Sequence, residues 1–137
     1  MKNIAIIMGS FHKDIVEQMR QEAVKTAEEL GLNVIKEVWV PGSVEKPLAL
    51  QQVLKRDDVD GAIALGIIER GSTKHGMVMG QSLMHFTMEL SLKYEKPIGL
   101  GVLGPEVLPD QIEPRVLPYA KKAVVAVADM LKQDYKS

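Results

Sequence analysis

Apolar positions recur along this chain with two alternating periods. Asn3 to Met8 is a short apolar run, β-branched at Ile4, Ile6 and Ile7, and it predicts a buried strand. Lys13 to Leu30 has helical spacing instead, with Ile15, Met19, Ala23, Ala27 and Leu30 on one face and Gly31 as its stop. Asn33 to Val40 reads as a second strand, turned by Pro41-Gly42-Ser43. Ser43 is placed to cap a helix from about Val44 to Lys55, where Pro47 is tolerated in the first turn. Asp57-Asp58 marks a loop, and Asp60 to Gly66 is the third strand. A long apolar-rich helix is expected over Met77 to Tyr94. Ile98 to Leu103 is the fourth strand, closed by Gly104-Pro105. Glu106 to Pro118 carries three prolines and reads as broken helix or loop. Tyr119 to Leu131 is a last helix, with Ala120, Val124, Val127, Ala128 and Leu131 on one side.

Strand and helix alternate four times. That pattern predicts a three-layer α/β/α fold with a four-stranded parallel sheet, in a flavodoxin-like order. At 137 residues the whole chain is expected to form one domain. Ligands of such sheets bind beyond the carboxyl ends of the strands. Three loops fall there: Gly9 to His12, Pro41 to Glu45 and Gly66 to His75. They are expected to converge on one pocket.

The last of these loops carries the strongest chemical signal. A strand end that feeds Gly71-Ser72-Thr73 and then a helix start is an anion site in outline, because free N–H groups and the helix dipole face outward there. Ser72 and Thr73 can cap the helix and donate hydroxyl hydrogen bonds. His75 follows in the first turn. The helix N-terminus disfavours its cation while a bound phosphate favours it, so the imidazole can shuttle protons near neutrality. The plainer alternative is a solvent-facing helix residue.

Other candidates also have two readings. Phe11 is either a platform for a heteroaromatic ring or a local core plug. Glu45 is either a carboxylate stabilised by a helix start or an acceptor for substrate hydroxyls. Arg115, between Pro114 and Pro118, is either a phosphate partner or a solvated arginine. His85 lies deep in the long helix and reads as an interior or interface group; His12 is ambiguous. Met77, Met79, Met84, Phe86 and Met88 do not share one helical face. One domain would struggle to bury them all, so a homo-oligomer interface is expected.

Composition removes several classes. Apolar residues make up 46% and charged residues 26%, with a net charge of -1, so nucleic acid and anionic membranes are not expected as partners. There is no cysteine, and the histidines share no metal-ligand spacing, so neither disulfide nor metal is expected. The chain opens Met1-Lys2-Asn3 straight into a strand, with no signal-peptide pattern and no run long enough to span a bilayer, so a cytoplasmic location is the expectation.

Three segments together resemble a known family. They are Val40-Pro41-Gly42-Ser43-Val44-Glu45-Lys46-Pro47, Ala64 to His75, and Pro97-Ile98-Gly99-Leu100-Gly101-Val102-Leu103. The motifs Pro-Gly-x-x-Glu-x-Pro and Arg-Gly-x-Thr-x-His at this separation resemble the 6,7-dimethyl-8-ribityllumazine synthases, the archaeal type above all, over about Ile4 to Leu131. The resemblance implies condensation of 5-amino-6-(D-ribitylamino)uracil with 3,4-dihydroxy-2-butanone 4-phosphate, releasing phosphate and water, in riboflavin biosynthesis and without a cofactor. It implies that Phe11 stacks on the pyrimidine. Ser43, Val44 and Glu45, with Ile67, Ile68 and Leu100, would hold the ring and ribityl chain. Gly71, Ser72 and Thr73 would seat the phosphate and His75 would move protons. Arg115 of a neighbouring subunit, with Lys121, would clamp the phosphate in a pentamer or an icosahedral shell of pentamers.

The chain departs from the family pattern at a few positions. His12 stands where Asn is usual, and Gly76-Met77 replaces an aromatic or acidic pair. Leu100 replaces a bacterial Phe, and Lys46 is a charge where an apolar residue is common. These leave a second function class open, a non-catalytic or repurposed flavin- or phosphate-ligand protein on the same scaffold.

Overall fold

The computed structural model describes residues 1–133. The strands are β1 (Lys2–Gly9), β2 (Leu32–Val40), β3 (Gly61–Glu69) and β4 (Ile98–Val107). The helices are α1 (Lys13–Glu29), α2 (Lys46–Leu54), α3 (His75–Tyr94), the short α4 (Pro109–Ile112) and α5 (Val116–Lys132). The sheet is parallel throughout, in the order β2-β1-β3-β4, which is the flavodoxin-like order expected.

Side chains alternate across the sheet and build a core on each face. Ile4, Ile6 and Met8 of β1 and Ile63, Leu65 and Ile67 of β3 pack with Val16, Met19 and Ala23 of α1 and Val124 and Val127 of α5. On the other face the smaller Ala5, Ala62 and Ala64 lie under Leu50, Val53 and Leu54 of α2, with Leu90 and Tyr94 of α3 at the margin. The near-unbroken apolar run of β3 is therefore what a central strand covered on both faces requires.

Four elements differ from the sequence expectation. β3 continues past Gly66 to Glu69, and β4 passes through the cis Gly104–Pro105 peptide to Val107 instead of closing at Gly104. The two extensions support each other: Glu69 pairs with Val107, and the Arg70 N–H donates to the Val107 carbonyl at 2.7 Å. β4 is an edge strand, where proline removes no needed ladder bond. α5 starts at Val116, ahead of Pro118, because an N–H in the first helical turn needs no partner. Ser43 does not cap a helix. It opens a 3₁₀ turn, Ser43–Glu45, and its hydroxyl accepts from the Lys46 side chain.

α3 buries only Gly80, Leu83 and Thr87 of its 20 residues. Val78, Met84, Phe86, Met88 and Leu92 are exposed. Among the described residues no helix is long and apolar enough to cross a membrane.

Candidate active site

The loops after β1, β2 and β3 meet at the carboxyl edge of the sheet, as a parallel sheet dictates. Between them lies a cleft of about 490 Å³. Its walls include Phe11 from the first loop, Pro41 to Glu45 from the second, and Ile67, Ile68, Gly71, Ser72, Thr73 and His75 from the third. Ten residues predicted from sequence thus fall on one surface: Phe11, Ser43, Val44, Glu45, Ile67, Ile68, Gly71, Ser72, Thr73 and His75.

Phe11 is 52% exposed and lies in the cleft wall, so it does not plug the core. Its ring meets that of His12 edge to face, with centroids 4.3 Å apart. His12 has left-handed backbone geometry (φ 54°) and closes the turn into α1 by accepting from the N–H groups of Ile15 and Val16. Asn and His both tolerate that geometry better than most residues, which accounts for His12 at a position where the family pattern has Asn. The His12 Nε2 lies 3.3 Å from Oε1 of Glu69, which lines the cleft.

His75 is the first residue of α3, and its backbone N–H donates to Thr73 Oγ1 at 3.3 Å. Thr73 therefore ties off one free donor of the helix start, as its sequence position suggested. Gly71 to Thr73 and the imidazole line the cleft at the start of a five-turn helix, where first-turn N–H groups have no partner within the helix. Arg70 stands just outside, its Nε 3.2 Å from Glu106 Oε2, which pins the loop to the extension of β4.

Three predicted residues are not in this cleft. Leu100 is half-buried in β4 and packs with Ile68, Leu83 and Val102. Arg115 is exposed in the 3₁₀ turn Glu113–Arg115, donating from Nη1 to the Gln111 carbonyl at 2.9 Å. Lys121 is exposed on α5.

Two residues at the site escaped the sequence reading. Glu69 lines the cleft. The apolar run continues through Ile67-Ile68, so the first charge after it was a legible marker of the true strand end. Lys46 lies behind the cleft wall, 1% exposed, with its Nζ 3.3 Å from Ser43 Oγ. Burial pushes its ammonium down from 10.5 to about 8, against an opposing pull from the Glu45 carboxylate. Only the fold could show where that side chain goes.

The 6,7-dimethyl-8-ribityllumazine synthase family model matches residues 1–134. The chain belongs to this family. It is 41% identical over 133 residues to a 6,7-dimethyl-8-ribityllumazine synthase of Staphylothermus marinus, covering 97% of this chain and 89% of that protein. Proteins of the same name from Methanococcus vannielii and Sulfolobus acidocaldarius are 36% and 35% identical. The first match covers 97% of this chain and 94% of its relative, and the second covers 96% and 83%. The lumazine synthase motifs, Pro41 to Pro47 and Arg70 to His75, supply most of the cleft wall described above.

Proposed function

We propose that this cleft condenses 5-amino-6-(D-ribitylamino)uracil with 3,4-dihydroxy-2-butanone 4-phosphate to give 6,7-dimethyl-8-ribityllumazine, phosphate and two molecules of water. The observation that carries the reading is the cleft itself, which sets an exposed aromatic ring, a helix-start anion seat and an imidazole on one surface. Phe11 stacks on the pyrimidine. Ser43, Val44 and Glu45, with Ile67 and Ile68, hold the ring and ribityl chain, and Leu100 backs Ile68 from β4. Gly71, Ser72 and Thr73 seat the phosphate.

The chemistry follows from that placement. The 5-amino nitrogen of the pyrimidine attacks the ketone carbon, and loss of water forms an imine. Phosphate then leaves, helped by donors fixed where its charge accumulates. The hydroxyl-bearing carbon gives up its proton as phosphate departs from its neighbour, and the resulting enol takes a proton at its terminal carbon to become a ketone. The ribitylamino nitrogen closes on that ketone and a second water departs. Each step moves a proton, and His75 is the group at the anion seat that can carry it. Holding both substrates in contact removes the entropic cost of their encounter. A binding protein without chemistry is not favoured, since Phe11 and residues of both motifs, His75 among them, line the cleft together.

A second copy of the chain completes the site. The exposed apolar side of α3 borders a smaller groove against Val44 and Pro47, lined by Val78, Met79, Leu83 and Phe86. A ring of identical contacts, a pentamer free or within an icosahedral shell, covers this face and brings the neighbour's Arg115 and Lys121 to the phosphate. Equilibrium binding tests the two-part cleft. Inorganic phosphate should displace the butanone phosphate and leave a bound ribitylaminouracil analogue in place. Competition between phosphate and the pyrimidine analogue, or failure of both to bind, would remove the reading.

A further inference from the structure

Lys46 is the largest fully buried side chain outside the apolar core. It starts α2, and its amine reaches the carboxyl ends of the two central strands. Met8 pairs with Leu65, so Gly9 and Gly66 come next on neighbouring strands and share the α2 face. A Cβ built on Gly9 would lie 2.7 Å from Lys46 Nζ, and one on Gly66 would lie 2.6 Å from it. Two strand-end glycines thus leave the space that the amine fills. A third residue, Ser43, supplies its hydrogen bond, at 3.3 Å. Among the described residues this is the only hydrogen bond of the Lys46 amine and of the Ser43 hydroxyl.

A buried cation with one long hydrogen bond is a poor device for stability. An apolar side chain would fill the same space without the desolvation, so the placement points to the neighbouring cleft. An ammonium has three donors and no acceptor, so Ser43 Oγ must accept from it. The hydroxyl proton of Ser43 is then left for another partner, and Ser43 is part of the cleft wall.

We propose that Lys46 is a positioning residue: held between Gly9 and Gly66, its ammonium fixes Ser43 as a hydrogen-bond donor to the cleft, which selects a substrate bearing an acceptor there, such as a ring carbonyl oxygen of a pyrimidinedione. This rests on the pyrimidine site described above. It assigns Ser43 a direction, and it makes that direction depend on the protonation of a residue the substrate does not touch. A neutral amine can accept from Ser43, so loss of the Lys46 proton turns the hydroxyl away from the cleft.

The surroundings allow that titration to be read. Glu45, its sequence neighbour, favours the charged amine, while burial lowers it to about 8. β1 and β3 bring Gly9 and Gly66 against the amine. Beyond them His12 and Glu69 face each other at 3.3 Å. The rest of α2 carries no titratable side chain, and on α3 His75 lines the cleft while His85 pairs with Glu89 at 2.9 Å.

The test is steady-state kinetics of the whole protein between pH 6.5 and 9.5, comparing wild type, Lys46→Met, Ser43→Ala and the double variant. In wild type, KM for the pyrimidine should rise as pH passes through about 8. Each single variant should raise that KM about tenfold at pH 7 and flatten its rise, with kcat and the KM for the butanone phosphate changed less than threefold. The double variant should be no worse than either single one, because both remove the same donor. Multiplying effects in the double variant, or an unchanged pyrimidine KM in Lys46→Met, would overturn the proposal. If Lys46→Met does not assemble, Ser43→Ala decides alone: a retained rise near pH 8 would overturn it. Absence of lumazine from wild type would instead sink the condensation reading, so the two failures are distinct.

Discussion

Replacing Lys46 with Met should stabilise the protein, and by an amount that falls as pH rises. The ammonium is held down from 10.5 to about 8 chiefly by desolvation. A tenfold change in proton affinity is worth ~1.4 kcal/mol, so carrying this charge in the fold costs about 3 kcal/mol at pH 7. The sign follows from the proton balance. Between about 8 and 10.5 the unfolded chain keeps the lysine proton and the folded one releases it, so raising pH favours the folded state. Below about 8 both states are protonated and the full penalty remains; above 10.5 both are neutral and it is gone. Met has nearly the same length and no charge, so the variant lacks the pH-dependent part. Urea unfolding of both proteins at one fixed protein concentration, from pH 7 to pH 10, isolates it as a difference. The advantage of Lys46→Met should shrink from about 3 kcal/mol at pH 7 to about 1 kcal/mol at pH 10. A difference that does not change with pH would show that the amine is not desolvated, and the argument from its burial would fail.

Substitutions at the cleft carry further expectations. His75→Ala should lower kcat by about 10²–10⁴-fold while phosphate affinity changes little, and an unchanged kcat would remove His75 from the mechanism. Phe11→Ala should weaken binding of ribitylaminouracil analogues by roughly 0.5–1.5 kcal/mol beyond simple area burial, measured by calorimetry, and equal affinities would end its stacking role. The shared site can be checked by complementation: His75→Ala and Arg115→Ala, each nearly inactive, are dissociated, mixed in equal amounts and reassembled. About a quarter of wild-type activity should return, since random placement joins an intact His75 to an intact Arg115 at roughly one interface in four. Complete exchange with no recovery would confine Arg115 to its own chain.

The sheet order and both cores were legible because strand and helix periods alternate cleanly, and right-handed crossovers leave few topologies for such a pattern. The cleft was legible for the same reason: parallel strands put the loops after β1, β2 and β3 on one edge. Element ends were less so. Gly66 and Gly104 looked like strand stops, yet both strands resume beyond them, past a left-handed Gly104 (φ 99°), and Glu69 pairs with Val107. Ser43 has the chemistry of a helix cap, but the sequence could not show that a 3₁₀ turn would precede α2 and bring a lysine amine to its hydroxyl. Gly9, Ser43, Lys46 and Gly66 are a unit only in three dimensions. The apolar surplus of α3 was visible in its methionines, and Met84, Phe86 and Met88 are exposed in the folded chain.

The condensation itself can be followed directly. The purified protein is mixed with 5-amino-6-(D-ribitylamino)uracil and 3,4-dihydroxy-2-butanone 4-phosphate in the presence of chelator, and lumazine absorbance and inorganic phosphate are followed together. One phosphate should appear for each lumazine, at a rate proportional to protein and indifferent to chelator. Formation of lumazine no faster than in protein-free buffer, or activity that disappears with chelator and returns with a divalent ion, would contradict it.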